Sequence, residues 1–288
     1  AEEAAAAAAA AATADAAATL GLGDARLIKF RELRREVYDA AAVAHDAREP
    51  FEAGIKRPYF HVKPLDAAQI ANWERYLTHE ERAGDVPNVV RLYERCVIPC
   101  AAHPALWLRY AAATERYQGP VAARAILQRA TRVFVKRHVE AHLFLARFEE
   151  RQGDVAAARE VYVHVADDVA PGLVRATVEH ANMERRAGDP SRARAVFEAA
   201  MAVERSKEGA ESKVYGVLVN QYAAFLDEAL GDEEAARSVY QEACRAAAGN
   251  PLVWEGAVNF ERQRTRRSGA ERLRRVQEVV AQCFGEIG

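Results

Sequence analysis

A dipeptide that returns at an almost constant step constrains the fold of this chain more than any other feature of its sequence. Glu-Arg recurs at steps of 34, 35 and 34 residues, and a glycine follows each of these glutamates by three or four residues. The pairs begin at Glu81, Glu115, Glu150 and Glu184, and the glycines are Gly84, Gly119, Gly153 and Gly188. Such a step, without the alternation typical of β-strands, indicates a solenoid of helical hairpins. Gly231 follows only after 43 residues, which predicts an insertion of about eight residues near residues 206–212.

The glycine of each unit marks the turn between two helices. Aspartate follows it directly in four units, at Asp85, Asp154, Asp189 and Asp232. Glycine can adopt the left-handed conformation that ends a helix, and aspartate can then cap the next helix by accepting a backbone N–H bond from its first turn. In the second unit Pro120 follows Gly119, and proline favours the first position of a helix. The pattern therefore predicts a tight helical hairpin in each unit.

The helices of a unit carry an apolar face that one hairpin cannot bury alone. In the first unit Trp73 and Tyr76 recur at helical spacing on the first helix, and Tyr93 lies on the second. Stacking on the neighbouring hairpin would bury this face. The predicted repeat core consists of Trp73, Tyr76, Tyr93, Trp107, Tyr110, Tyr162, Phe197, Tyr240 and Trp254. Three residues before the core position of the second helix, the later units carry Arg124, Arg159, Arg194 and Arg237.

The segments around the repeats predict four regions. Residues 1–23 are an alanine-rich low-complexity linker, and because the chain begins inside it we expect a part of a longer protein. Residues 24–66 are predicted to form a long helix to residue 49, followed by an extended connector that contains Pro58 and Pro64. Residues 67–267 are the array of about six units, and residues 268–288 are a C-terminal helix that caps the array or dimerises. The apolar face of the long helix consists of Leu27, Phe30, Leu33, Val37 and Tyr38.

Composition excludes several broad classes of protein. The formal net charge of -2 argues against a protein whose whole surface binds nucleic acid. No apolar run approaches the roughly 18 residues that a membrane-spanning helix needs. The four cysteines are few for this length and no secretory signal is visible, so we expect free thiols in a reducing intracellular compartment.

The sequence contains no pattern typical of a catalytic, cofactor-binding or metal site, and we expect a protein that is not an enzyme. The segment from His79 to Ala83 begins like the helix of a zinc protease but lacks the second histidine. Glu80, within this segment, is expected to meet an arginine of the adjacent unit. Cys96 and Cys100 have no partner pair downstream, which favours buried thiols.

An arginine-rich tail is the strongest local charge feature of the chain. The candidates for contact with a partner or with RNA are Arg262, Arg264, Arg266, Arg267 and Arg274. The same residues fit the solvated side of the last helices. An apolar stripe at helical spacing follows, with Leu273, Val276, Val280 and Phe284. Because a terminal repeat needs a polar outer face or a partner, this stripe predicts a helix that either caps its own array or docks into a second subunit.

Three first helices share an aromatic motif, and one second helix shows the pattern that accompanies it. The motifs are Trp73-Glu-Arg-Tyr76, Trp107-Leu-Arg-Tyr110, Asn250-Pro-Leu-Val-Trp254 and Arg194-Ala-Val-Phe-Glu198. They resemble the half-a-TPR, or HAT, repeat of RNA-processing factors, whereas the ordinary TPR repeat favours small residues at these positions. Units three to five depart from the motif and carry His142, Thr177 and Tyr215 in place of the tryptophan. The resemblance implies an all-α fold, an α-α superhelix (solenoid) of HAT helical-hairpin repeats, and no cofactor.

The connector carries a more specific resemblance, in the string Arg57-Pro-Tyr-Phe-His-Val-Lys-Pro-Leu65. It resembles the connector that leads into the C-terminal HAT array of the pre-mRNA-processing factor 39 family. This implies a nuclear, non-catalytic scaffold of pre-mRNA splicing, associated with the U1 small nuclear ribonucleoprotein (U1 snRNP) at the 5′ splice site. The implied partners are U1 snRNP proteins and a homodimer or heterodimer with a related HAT protein, with indirect or minor RNA contact, no membrane and no small-molecule substrate. The alternative is a HAT scaffold of mRNA 3′-end cleavage or of ribosomal RNA processing.

Overall fold

The computed structural model describes residues 25–263 and 268–287, and within these ranges all regular secondary structure is helical. The α-helices are α1 Ala25–Ala53, α2 Ala67–Ala83, α3 Val86–Cys96, α4 Pro104–Gln118, α5 Pro120–Arg129, α6 Val139–Arg151, α7 Val155–His164, α8 Val174–Arg186, α9 Pro190–Lys207, α10 Lys213–Ala224, α11 Glu233–Ala246, α12 Pro251–Arg262 and α13 Gly269–Ile287. Short π-helical segments extend α5, α7 and α10, at Ala130–Phe134, Val165–Val169 and Phe225–Ala229. The predicted all-α fold of helical-hairpin repeats is confirmed.

The helices after α1 pair into six successive hairpins, from α2 with α3 to α12 with α13. The described residues divide into two compact units, one ending at Cys100 and the other beginning at Ala101. The first unit holds α1, the connector and the first hairpin, and the second holds the other five. The predicted C-terminal helix is therefore the second helix of the sixth hairpin, where it packs on α12.

The turns inside the hairpins have the predicted chemistry. Gly84, Gly153, Gly188 and Gly231 have φ angles of 77°, 82°, 85° and 71°. Each following aspartate accepts a hydrogen bond from the backbone N–H three residues further on. Gly119 differs, with φ 90° and ψ 176°. The residue before a proline is displaced from the helical region, which explains the extended ψ at this one turn.

The extra residues between Gly188 and Gly231 do not form the predicted single insertion at residues 206–212. The capping residues of α9 and α10, Asp189 and Ser212, are 23 residues apart, whereas Asp154 and Leu173 in the preceding repeat are 19 apart. Ser212 and Asp232 are 20 apart, whereas Leu173 and Asp189 are 16 apart. The extra residues are thus shared between α9 with its following turn and the π-extended α10.

The first helix continues four residues beyond its predicted end, through Pro50 to Ala53. Its C-terminal end packs on α2, where the rings of Phe51 and Tyr76 stack with centroids 5.2 Å apart. Most of the predicted apolar face is solvent-exposed, including Phe30, Leu33, Val37 and Tyr38. Helical periodicity predicted the helix correctly, but the described residues do not cover this face.

Two glycines allow α10 and α12 to approach closely. A Cβ on Gly216 would lie 2.9 Å from the Cβ of Leu252. A Cβ on Gly256 would overlap the side-chain amide of Asn220, which donates to the carbonyl of Leu252 at 3.0 Å. A larger residue at either position would push these two first helices apart.

Several predicted features lie outside the described residues. These are the alanine-rich linker at residues 1–23, the tail arginines Arg264, Arg266 and Arg267, and the side chain of Phe284.

Candidate functional site

The predicted repeat-core residues all lie in the interior of the hairpins. The side chains of Trp73, Tyr76, Tyr93, Trp107, Tyr110, Tyr162, Phe197, Tyr240 and Trp254 are buried. Cys96 and Cys100 are buried as well, and both are free thiols. Removing a buried tryptophan such as Trp107 should cost about 3–5 kcal/mol, because the cavity cannot fully collapse.

A hydrogen bond to the preceding turn recurs at the tryptophan position of the first helix. Trp107 Nε1 donates to the carbonyl of Ala101 at 2.9 Å, and Trp254 Nε1 donates to that of Ala248 at 2.8 Å. His142 occupies this position in the third hairpin, and its Nε2 lies 2.8 Å from the carbonyl of Lys136. In all three hairpins the acceptor lies six residues earlier. Since a carbonyl can only accept, His142 Nε2 carries the proton, and this histidine replaces the tryptophan in its hydrogen bond.

Successive hairpins of the second unit are joined by a repeated arginine–carboxylate pair. The arginine comes from a second helix, and the carboxylate comes from the next hairpin. Arg159 donates to Glu184 through Nε and Nη2, at 2.6 and 2.7 Å. The other pairs are Arg124 with Glu149, Arg194 with Asp232 and Arg237 with Glu261. In the first unit Arg48 makes the same kind of pair with Glu80, so the arginine that meets this glutamate comes from α1 and not, as predicted, from an adjacent repeat unit.

Each pair contains at least one group whose pKa is shifted. The hydrogen bond from Arg159 holds the pKa of Glu184 below its usual range, against the opposing effect of burial. The hydrogen bond to Glu149 raises the pKa of Arg124. Burial lowers the pKa of Arg237, but its hydrogen bonds to Glu261 and two other carboxylates outweigh this and raise it. For Arg159 and Glu184, where the pKa of the arginine is raised and that of the carboxyl is lowered, the charged form of the pair is stabilised.

The Glu-Arg dipeptide forms a second series of contacts, between first helices. Glu150 accepts from Arg186 of the next first helix, at 2.6 and 2.9 Å. Arg151 donates to Glu115 of the preceding first helix, at 3.2 Å. At Glu150 and Arg151 the two residues of one dipeptide thus pair with opposite neighbouring helices. In the next dipeptide Glu184 pairs with Arg159 instead, so the dipeptides are not structurally equivalent.

An apolar groove lies between α7, α8 and α9, and the sequence did not predict it. Its volume is about 530 Å³. The apolar lining includes Val163, Ala166, Leu173, Val196, Ala199 and Val203. Alanines at Ala195 and Ala199, one helical turn apart on α9, are the sequence signal that could have indicated an open face here.

The C-terminal helix has two different faces. Val279 and Cys283 pack against the core formed by α10, α11 and α12. On the other side, Leu273 and Val280 are 59% and 36% exposed, and Val276 is half-buried. The described part of the apolar stripe predicted to cap the array or to dimerise is thus exposed at Leu273 and Val280 and half-buried at Val276.

The described tail arginines do not form one free basic face. Arg262 is exposed at the end of α12. Arg274 lies 3.6 Å from Glu278 on the same helix, and Arg275 lies 3.4 Å from the same carboxylate. The described arginines fit a solvated helix surface, and contact of the tail with a partner or with RNA stays a prediction.

Among the residues that the structure describes, no cluster of three or more histidine, cysteine or acidic side chains is arranged to hold a metal ion. No described helix has the length and apolar character that crossing a membrane requires.

Comparison with known proteins places these features in a family. Residues 46–186 match the model of the PRP39 C-terminal HAT repeat. Pre-mRNA-processing factor 39-2 of Arabidopsis thaliana is 43% identical over 155 residues, which are 54% of this chain and 14% of that protein. Human pre-mRNA-processing factor 39 is 34% identical over 186 residues, covering 65% of this chain and 27% of the relative. The Schizosaccharomyces pombe protein is 31% identical over 245 residues, covering 80% and 39%.

The chain spans well under half the length of these relatives. The matched region contains the connector and three of the arginine–carboxylate pairs. These are Arg48 with Glu80, Arg124 with Glu149 and Arg159 with Glu184. The chain is therefore a HAT-repeat protein, and its residues 46–186 belong to the PRP39 C-terminal HAT-repeat family.

Proposed function

We propose that this protein is a non-catalytic scaffold of the pre-mRNA splicing machinery. It acts in the nucleus, associates with the U1 snRNP, and supports recognition of the 5′ splice site through contacts with U1 snRNP proteins. The observation that carries the proposal is the family match over residues 46–186. The relatives that share this region are named pre-mRNA-processing factors.

The geometry supports a scaffold because the hairpins are held at fixed positions. Each arginine–carboxylate pair of the second unit joins one hairpin to the next, and the carboxylate of Glu184 is only 1% exposed. A buried charged pair tolerates little displacement, because separating its members leaves a charge without compensation. Surfaces on neighbouring hairpins therefore keep a constant spacing, which simultaneous binding of several proteins requires.

We also propose that the protein dimerises through α13, with itself or with a related HAT protein. The side chains of Leu273 and Val280 are exposed on a helix that packs on the core through Val279 and Cys283. Burial of apolar side chains at a subunit interface contributes roughly 25 cal/mol per Å², which favours a partner over solvent for this face.

Immunoprecipitation of the full protein from nuclear extract, followed by RNA sequencing, tests the association. We expect enrichment of U1 RNA over U2 RNA and over ribosomal precursors. A Val37→Glu/Val43→Glu variant, changed on the exposed face of α1, should keep the enrichment and controls for added surface charge. Enrichment of ribosomal precursor RNA without U1 RNA would overturn the splicing proposal in favour of the alternative.

A further inference from the structure

The connector between α1 and α2 has an unusual combination of side chains. Residues 56–63, the connector strip, contain Lys56, Arg57 and Lys63 but no aspartate or glutamate. Tyr59 and Phe60 lie between these cations. In a chain with a formal net charge of -2, the strip concentrates three positive charges in eight residues.

The aromatic side chains of the strip point into solvent. Tyr59 is 58% exposed, Phe60 is 60% exposed and Val62 is 89% exposed. Single exposed apolar residues are common on protein surfaces, but three within four residues form a patch of the kind that marks an interaction site.

The strip is nevertheless held in place at both ends. The backbone N–H of Lys56 donates to Gln69 on α2 at 3.0 Å, and Leu65 is buried. Within the strip, Arg57 Nη2 donates to the carbonyl of Lys63 at 2.8 Å. The N–H of Lys63 donates in turn to His61 Nδ1 at 2.9 Å. With its backbone already ordered, the strip loses little conformational entropy when a ligand binds.

Neighbouring carboxylates do not neutralise the strip, because they are engaged elsewhere. Glu52 accepts two hydrogen bonds from Arg95, at 2.8 and 2.9 Å, and a third from Tyr76. Asp66 caps α2 by accepting from the N–H of Gln69 at 2.7 Å. The ammonium groups of Lys56 and Lys63, on two exposed residues, therefore face solvent without a carboxylate bound to them in the described part of the chain.

We infer that the connector strip binds single-stranded RNA. Bases can stack on exposed aromatic rings, and flanking lysines can bind the phosphates that link those bases. Proteins bind single strands in this way without reading their sequence. Tyr59 and Phe60 provide the stacking surface, and Lys56 and Lys63 provide the phosphate contacts. A duplex would not fit, since its bases are already stacked on one another. The contacts described here fit any single strand, and the choice of RNA over DNA rests on the proposed role in splicing.

The strip carries positive charge and contains no acidic side chain, which favours RNA over a protein partner. A protein ligand of this surface would have to place several carboxylates beside an apolar patch. A nucleic-acid strand offers evenly spaced negative charge and planar bases in one molecule. In the strip two aromatic residues lie between cations, which provides both kinds of contact within eight residues.

Fluorescence anisotropy with the full chain and a fluorescein-labelled ten-nucleotide oligouridine tests the inference. The Tyr59→Ala/Phe60→Ala variant should bind at least about tenfold more weakly, because stacking of each base contributes that order of affinity. The Lys56→Gln/Lys63→Gln variant should lower the slope of log affinity against log salt by about 1.4, since each phosphate contact on a single strand contributes about 0.7.

Matched variants on the exposed face of α1 control for general surface effects. Phe30→Ala/Tyr38→Ala removes two exposed aromatics, and Lys29→Gln/Arg35→Gln removes two exposed cations. Both should leave affinity and salt slope unchanged, with unaltered circular dichroism melts for all four variants. The inference is overturned if the connector-strip variants bind like the unchanged chain, or if a duplex of the same length binds as tightly as the single strand. Loss of a protein partner from the Tyr59→Ala/Phe60→Ala variant, with RNA affinity intact, would also overturn it.

Discussion

Arg159 of α7 and Glu184 of α8 are joined by two hydrogen bonds, 2.6 and 2.7 Å long, between consecutive hairpins. The carboxylate is almost completely buried, while the arginine side chain is 31% exposed. The same relationship recurs in Arg124 with Glu149 and in Arg237 with Glu261. Apolar stacking buries the faces of the hairpins, and these pairs set the position of one hairpin on the next.

Replacing Arg159 by alanine should destabilise the second unit by about 3 kcal/mol, because the buried carboxylate of Glu184 loses both arginine hydrogen bonds and keeps only His180, 3.4 Å away, beside it. Urea denaturation followed by circular dichroism measures this. Arg192→Ala is the matched control, since Arg192 pairs with Asp189 on the surface, and its loss should cost less than about 1 kcal/mol. Equal losses for the two variants would show that the buried pair does not clamp the hairpins.

Stability should fall as the pH falls from 7.5 to 5.5. Burial lowers the pKa of His142 and of His180 below the ordinary histidine value of about 6.5. The unfolded chain therefore binds protons more readily than the folded one in this range, and acidification favours unfolding. His142→Gln should weaken the pH dependence of the melting temperature, and His45→Gln, at an exposed position, should not.

A second loss should follow at more acidic pH. Because Arg159 holds the pKa of Glu184 below its usual range, the stability from this pair is complete above the ordinary glutamate pKa and is lost as the pH falls through the lowered value. Melting curves between pH 5 and 3 should show a smaller decline for Glu184→Gln than for the unchanged chain. An identical decline would contradict this assignment.

A tryptophan should replace His142 with less loss of stability than a phenylalanine. His142→Phe keeps a ring but leaves the carbonyl of Lys136 without its donor, and we expect a cost of about 1–3 kcal/mol. His142→Trp, which restores an N–H donor at this position, should be less destabilising than His142→Phe. Chemical denaturation of both variants gives the comparison, and the opposite order would show that the histidine is not equivalent to the tryptophan.

The proposed dimer should depend on the exposed face of α13. Leu273→Glu/Val280→Glu places charges on that face without touching Val279, which packs on the core. Light scattering at tens of micromolar should show a dimer for the unchanged chain and a monomer for this variant. Val37→Glu/Val43→Glu on α1 should remain dimeric. A monomeric unchanged chain would refute this part of the proposal.

Local chemistry explains why the turns were predictable from sequence. A glycine followed by an aspartate specifies a helix end and a helix start within two residues, as at Gly84 and Asp85. The aromatic core was equally accessible, because Trp73 and Tyr76 repeat at helical spacing. Gly119 has a different ψ because Pro120 restricts the residue before it.

Other features depend on contacts distant in sequence and were missed or misplaced. The hydrogen bond of His142 was missed because its acceptor is a carbonyl in the preceding turn. The sequence did contain one signal: His142 lies seven residues before Glu149, as Trp254 lies seven residues before Glu261. The periodicity of α1 predicted a helix, but periodicity cannot tell which surface will cover Leu33 or Val37. The groove beside α9 depends on how three helices meet, and no single segment encodes it.

Binding of the purified chain to purified U1 snRNP, measured on native gels beside a purified ribosomal precursor particle, tests the proposed scaffold role most directly. The proposal predicts a specific complex with the U1 particle that persists when the connector strip is changed by Tyr59→Ala/Phe60→Ala, since protein contacts carry it. Absence of a complex with the U1 particle, or equal binding to the ribosomal precursor, would contradict it.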